Sequence, residues 1–168
     1  HCKEWEEILQ EIVPWDKSLD SKGKSKLKVV YMDMGPNRYN KYQHIAEKTL
    51  SLINKLSFVH LLFKPHTRSN RVNLAIPRNI EIVTEINSYN LIKWADVVIG
   101  MSSSIILGVL MQGKPYISPT FFRDIKMVHE EHGASWMVKN YDELIEALNI
   151  LHNNPNYEAY NKESVDNF

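Results

Sequence analysis

Among 168 residues there is a single cysteine, Cys2, so no internal disulfide is available and a disulfide-stapled secreted scaffold is excluded. Neither sign of charge is in excess: 20 Lys and Arg balance 20 Asp and Glu, for a formal net charge of +0. A protein whose main task is to coat nucleic acid or an anionic membrane needs a basic surface, so neither task is expected here. Glycine is scarce, at six residues, and no G-x-G-x-x-G fingerprint, Walker loop or G-x-S-x-G elbow occurs. Internal repeats and low-complexity tracts are also missing. No long hydrophobic run exists either. The uncharged stretch 97–113 is interrupted by Gly100 and Ser102-Ser103-Ser104, and it falls short of the ~20 apolar residues a spanning helix needs.

What is present is ordinary globular composition, 43% hydrophobic and 24% charged, in a length that suits one domain. The opening residues, HCKEWEEILQ, carry no initiator Met and no apolar leader core, so a piece of a longer chain is expected. Trp5, Ile8, Leu9, Ile12 and Val13 fall at helical spacing up to Pro14, and the polar stretch from Asp16 to Lys26 reads as a linker. From Leu27 the texture becomes a repeated alternation. LKVVYMD, SFVHLLF, IEIVTEI, DVVIGM, KPYISP and a weaker ASWMV read as strands. Between them, helices are predicted from about Lys41 to Leu56, over Leu91–Trp94 and over SSIILGVLMQG, with an amphipathic helix over YDELIEALNILHNN at the end. Short apolar strands alternating with helices predict an α/β fold, a Rossmann-like doubly wound parallel sheet with helices on both faces. In such sheets ligands bind beyond the carboxyl ends of the strands.

Three strand ends carry chemistry. After DVVIGM, Ser102, Ser103 and Ser104 open a helix, where free backbone N–H groups, the helix dipole and hydroxyl donors suit a phosphate; one Ser acting only as an N-cap is the plainer alternative. Gly113 then fits the helix C′ position, with Pro115 beyond it. After SFVHLLF come Lys64-Pro65-His66-Thr67-Arg68. This run sets several anion-binding donors on a stiffened turn, against the alternative of a solvated basic loop. After the first strand, Asp33-Met34-Gly35-Pro36-Asn37-Arg38 forms a polar turn with one flexible Gly. His129-Glu130-Glu131-His132 has two His at i, i+3 but lacks the H-E-x-x-H pattern and a third ligand, so no metal is expected. His44, His60 and His152 lie in periodic segments and read as structural.

Together Lys64-Pro65-His66-Thr67 and the stretch INSYNLIKWADVVIGMSSSIILGVLMQGKPYIS resemble the C-terminal, nucleotide-binding half of a GT-B fold glycosyltransferase. In texture this half is similar to CDP-glycerol glycerophosphotransferases and other surface-polysaccharide enzymes, with Asp33-Met34-Gly35 resembling the acidic turn of bacterial CMP-sialic acid transferases. The resemblance covers about Leu27 to Asn154. The expected organisation is an N-terminal helix and linker (1–26), a Rossmann-like nucleotide-binding domain (27–154) and a C-terminal helix or tail (155–168). The resemblance implies that Lys64, His66 and Arg68 contact a donor's phosphates together with Ser102, Ser103 and Ser104. Asp33, Gly35, Thr84, Glu85 and Asn87 would lie near the base or donor. The implied partners are a CDP-, CMP- or UDP-linked donor and a sugar or polyol acceptor held by a missing N-terminal domain. No nucleic acid and no cofactor are implied. A cytoplasmic protein is expected, with peripheral association of the full-length chain at the inner membrane face. The catalytic residue is not identified, and the isolated half is expected to bind nucleotide without turnover.

Two departures stand out. Thr67 replaces the family's Pro, and Gly108 stands where many members carry a ribose-holding Glu. A UDP-sugar 2-epimerase-like enzyme shares the architecture, although its Gly-rich turn and acidic pair are absent between Met101 and Val109. A non-catalytic binding domain that has lost the ribose Glu is the third reading.

Overall fold

Successive side chains of a strand point to opposite faces, and here both faces of the sheet are apolar and both are covered. The computed structural model describes residues 26–34, 39–66, 74–100, 105–122, 126–160 and 163. The helix expected at Trp5–Val13 and the linker before Lys26 lie outside them. The strands are β1 (Leu27–Met32), β2 (Val59–Lys64), β3 (Glu81–Ile82), β4 (Val97–Ile99), β5 (Tyr116–Pro119) and β6 (Trp136–Val138). All pair in parallel in the order β3-β2-β1-β4-β5-β6. Among the described residues the helices are α1 (Tyr39–Asn54), α2 (Ser88–Trp94), α3 (Ile105–Met111), α4 (Val128–Glu131) and α5 (Tyr141–Asn153), with a 3-10 turn at Thr120–Phe122.

Val29, Tyr31, Leu61, Phe63, Val97, Ile99 and Ile117 meet Ala46, Leu50 and Ile53 of α1 and Leu144, Ala147, Leu148 and Leu151 of α5. The intervening residues Val30, Met32, Leu62, Val98 and Tyr116 meet Leu91, Ile92 and Trp94 of α2 and Ile106, Val109 and Leu110 of α3. This two-sided burial is why the strands read as continuous apolar runs. Each buried Leu, Ile or Val adds about 1.5–3 kcal/mol relative to exposure.

Local hydrogen bonds fix how the chain enters the strands. At the amino end the Asp96 backbone N–H donates to Lys28 O at 2.9 Å, while the Lys28 N–H donates to Asp96 Oδ2 at 2.8 Å. At the end of α3, Gly113 takes a positive φ of 64° and Lys114 N–H reaches back to Val109 O at 3.1 Å. This is the glycine C-cap expected from the sequence. Beyond α5, Tyr160 packs on the α2–α3 side of the core and its hydroxyl donates to Lys114 O.

The strand order reverses between β1 and β4, the switch point at which the crevice of a doubly wound sheet opens. The carboxyl ends of β1, β2 and β4 therefore lie side by side at one edge. Among the described residues no helix is long and apolar enough to cross a membrane.

Candidate functional site

The carboxyl edge is built from chain ends tied to one another. Asp33, directly after β1, is 5% exposed. Its N–H donates to Lys64 O at 3.0 Å, extending the β1–β2 pairing by one residue. Its carboxylate accepts from Met34 N–H at 2.8 Å and from His66 N–H at 3.4 Å. Asp33 thus ties the loops after β1 and β2 together, a use of a carboxylate that holds backbone donors in place. Pro65 is buried and His66 half-buried.

Lys64 follows Leu62 on the face covered by α2 and α3, and it is 6% exposed. Its Nζ donates to Thr84 O and to Ile86 O, each at 2.7 Å. Two of the three ammonium donors are committed to the loop that follows β3. Burial holds the lysine below its ordinary 10.5, partly countered by the charge of Glu85. Glu85 and Thr84 are themselves exposed, with the Thr84 hydroxyl donating to Glu85 Oε1 at 3.2 Å. Asn87 caps α2, its Oδ1 accepting from Tyr89 N–H at 2.8 Å.

Gly100 closes β4, its N–H donating to Ile117 O at 3.2 Å. A Cβ there would stand 2.6 Å from the Tyr116 hydroxyl, so only glycine fits without moving that ring. Gly108, in α3, is packed the same way. A Cβ on it would collide with Cε1 of Tyr89 and lie 3.0 Å from Cδ1. The place where the resemblance expects a ribose-holding Glu is thus covered by an aromatic ring from α2. Burial raises the Tyr89 hydroxyl above its ordinary 10.0, and Gln112 Nε2 donates to Tyr89 O at 3.3 Å.

Of the residues singled out in the sequence, Asp33, Lys64, His66, Thr84, Glu85 and Asn87 lie at this edge. Gly35, Arg68, Ser102, Ser103 and Ser104 lie outside the described residues. The pair His129 and His132 separates: His129 is buried and His132 exposed, because α4 ends at Glu131. Among the described residues no group of three His, Cys, Asp or Glu is placed to hold a metal.

Two features had weaker sequence signals. Tyr89 was signalled only indirectly, by a glycine inside a helix, which marks close approach. The second feature is the buried carboxylate of Glu130, which accepts from the Ser118 hydroxyl at 2.5 Å and from Met127 N–H at 2.9 Å. A run of charged residues in sequence reads as a solvated face, so nothing local announced it.

No protein-family model matches the sequence, and no curated protein is significantly similar to it. In structure the chain is similar to a glycotransferase of kitacinnamycin, at 17% identity over 94% of this chain and 40% of that one, with a TM-score of 0.60. It is similar to a spinosyn rhamnosyltransferase complexed with spinosyn aglycone, at 10% identity over 93% and 44%, with a TM-score of 0.61. It also resembles the UDP-GlcNAc 2-epimerase of Methanocaldococcus jannaschii in complex with UDP-GlcNAc and UDP, at 16% identity over 96% and 48%, with a TM-score of 0.59. The chain spans less than half the length of each. Its fold is a Rossmann-like α/β layer of the kind that forms one half of a GT-B enzyme.

Proposed function

We propose that this chain is the donor-nucleotide-binding half of a glycosyl- or glycerophosphotransferase acting in surface-polysaccharide biosynthesis. One observation carries the reading: the polar loops after β1, β2 and β3 meet at the carboxyl edge, beside the β1–β4 switch point of a GT-B-type half. In this reading the donor's phosphates take the donors of Ser102, Ser103 and Ser104 together with those of His66 and Arg68. The loop 84–87 faces the nucleoside. Charge that develops on the departing phosphate would be met by these N–H and hydroxyl donors, the electrostatic stabilisation that favours a transition state. The acceptor, and the group that deprotonates it, belong to the other half.

A second reading, a UDP-sugar 2-epimerase half, is favoured by the similarity to the M. jannaschii epimerase over 96% of this chain. A thermal-shift series with CMP, CDP, UDP and a UDP-sugar separates the two. A ligand at one hundred times its Kd adds about 2.7 kcal/mol to stability, which raises Tm by several degrees. Cytidine selectivity supports the transferase, and uridine selectivity the epimerase. Unchanged melting across the series rejects both and leaves a binding domain without nucleotide.

A further inference from the structure

Lys64 sits where a sequence reader expects a phosphate ligand, yet its geometry is that of a buttress. The strand that delivers the loop after it, β3, is two residues long. Among the described residues, only Val83 N–H continues toward β2, donating to Phe63 O at 2.9 Å. Beyond that point the sheet ladder gives the loop no further register. The carbonyls of Thr84 and Ile86, two residues apart, both turn onto the same Nζ at 2.7 Å. The chain must curl around the ammonium to do this, and the curl leaves Thr84 and Glu85 exposed at the edge. Asn87 then caps α2 at the next turn. Lys64 is 6% exposed, which leaves little of its charge open to a soluble anion.

We propose that Lys64 is a positioning residue that fixes the shape of the loop 84–87, and through it nucleoside recognition, rather than a direct ligand of phosphate. The link to the nucleoside rests on the nucleotide-binding function proposed above; the buttress itself does not.

Two measurements separate these layers. In the unmodified chain, amine-labelling followed by mass spectrometry reads each lysine. Lys64 is expected to react at least ~10-fold more slowly than the exposed Lys55 and Lys93, as suits a group that must open locally before it reacts, and added CDP or UDP leaves its rate unchanged. Ready labelling that nucleotide suppresses would overturn the proposal. In Lys64→Met and Lys64→Arg, hydrogen exchange at the 84–88 amides is compared with that in β1. Loss of two charge-assisted bonds in the Met variant should speed loop exchange ~10-fold or more, with Arg restoring part of the protection. Unaltered loop exchange in the Met variant rejects the buttress.

If nucleotide binds, the Met variant should lose affinity by the same factor for nucleoside, monophosphate and diphosphate. A loss that grows with each phosphate identifies a phosphate ligand instead. Should the unmodified chain bind no nucleotide, the proposed function and the link to recognition fail together. Labelling and exchange still decide whether Lys64 holds the loop.

Discussion

At the scale of single residues, the contact between Gly108 and Tyr89 is the sharpest departure from what the sequence resembles. A side chain at 108 and the Tyr89 ring compete for one volume. Replacing glycine by alanine inside a helix is ordinarily favourable by about 1 kcal/mol, but forcing a methyl into a filled site costs about 1–3 kcal/mol. Gly108→Ala should therefore destabilise the chain while Tyr89 is present and stabilise it in a Tyr89→Ala background. Denaturant melts of the four proteins in a double-mutant cycle should give a coupling of about 1 kcal/mol or more. Equal effects of Gly108→Ala in both backgrounds would show that the ring gives way freely. The sequence showed that the Glu was missing, and only the packing showed what covers its place. Lys64 teaches the same lesson: its type and strand-end position were legible, but the two carbonyls that take its ammonium come from 20 and 22 residues away.

Among the elements, apolar periodicity located every strand, and the boundaries moved for identifiable reasons. IEIVTEI reads as a strand of seven residues, 80–86, yet only Glu81–Ile82 pairs. The carbonyls of Thr84 and Ile86 turn onto Lys64 instead of toward a neighbouring strand. The C-terminal helix α5 was read almost to its ends because its signals are local. Asn140 Oδ1 accepts from Glu143 N–H at 2.9 Å, and Glu143 Oε2 reaches back to Lys139 N–H at 2.7 Å, a form of capping box. Asn140→Ala should cost about 1 kcal/mol, read as a lower midpoint in urea with an unchanged slope. Asn140→Asp should retain most of that stability, since the acceptor is kept near the helix N-terminus. The short helix α4 has no side-chain cap from Met127; its Glu130 reaches back to Met127 N–H and is also held by Ser118 from β5, a contact across twelve positions that no local window spans.

For the molecule as a whole, the segment beyond α5 is fastened by Tyr160, whose hydroxyl is pushed up to about 12 from 10.0 by burial. Between these values the folded chain keeps a proton that the unfolded chain releases, so this group's contribution to stability falls as pH rises from 10 to 12. Burial of Lys64 acts with the opposite sign: the folded chain gives up its proton below 10.5, so that contribution rises with pH up to that value. Tyr160→Phe should therefore flatten the loss of stability in the most alkaline part of the range. Urea midpoints collected at several pH values would show it, and an unaltered alkaline slope would count against the assignment.

The sequence by itself determined the fold class, the strand positions, the glycine cap of α3 and which loops lie at strand ends. All of these depend on local spacing of apolar, capping and turn residues. Only the tertiary structure decided what those loops do to one another: Asp33 ties two of them, Lys64 holds a third, and Tyr89 fills the space above Gly108. Such contacts join residues distant along the chain, where burial and hydrogen bonding, rather than residue type, set the role of each group.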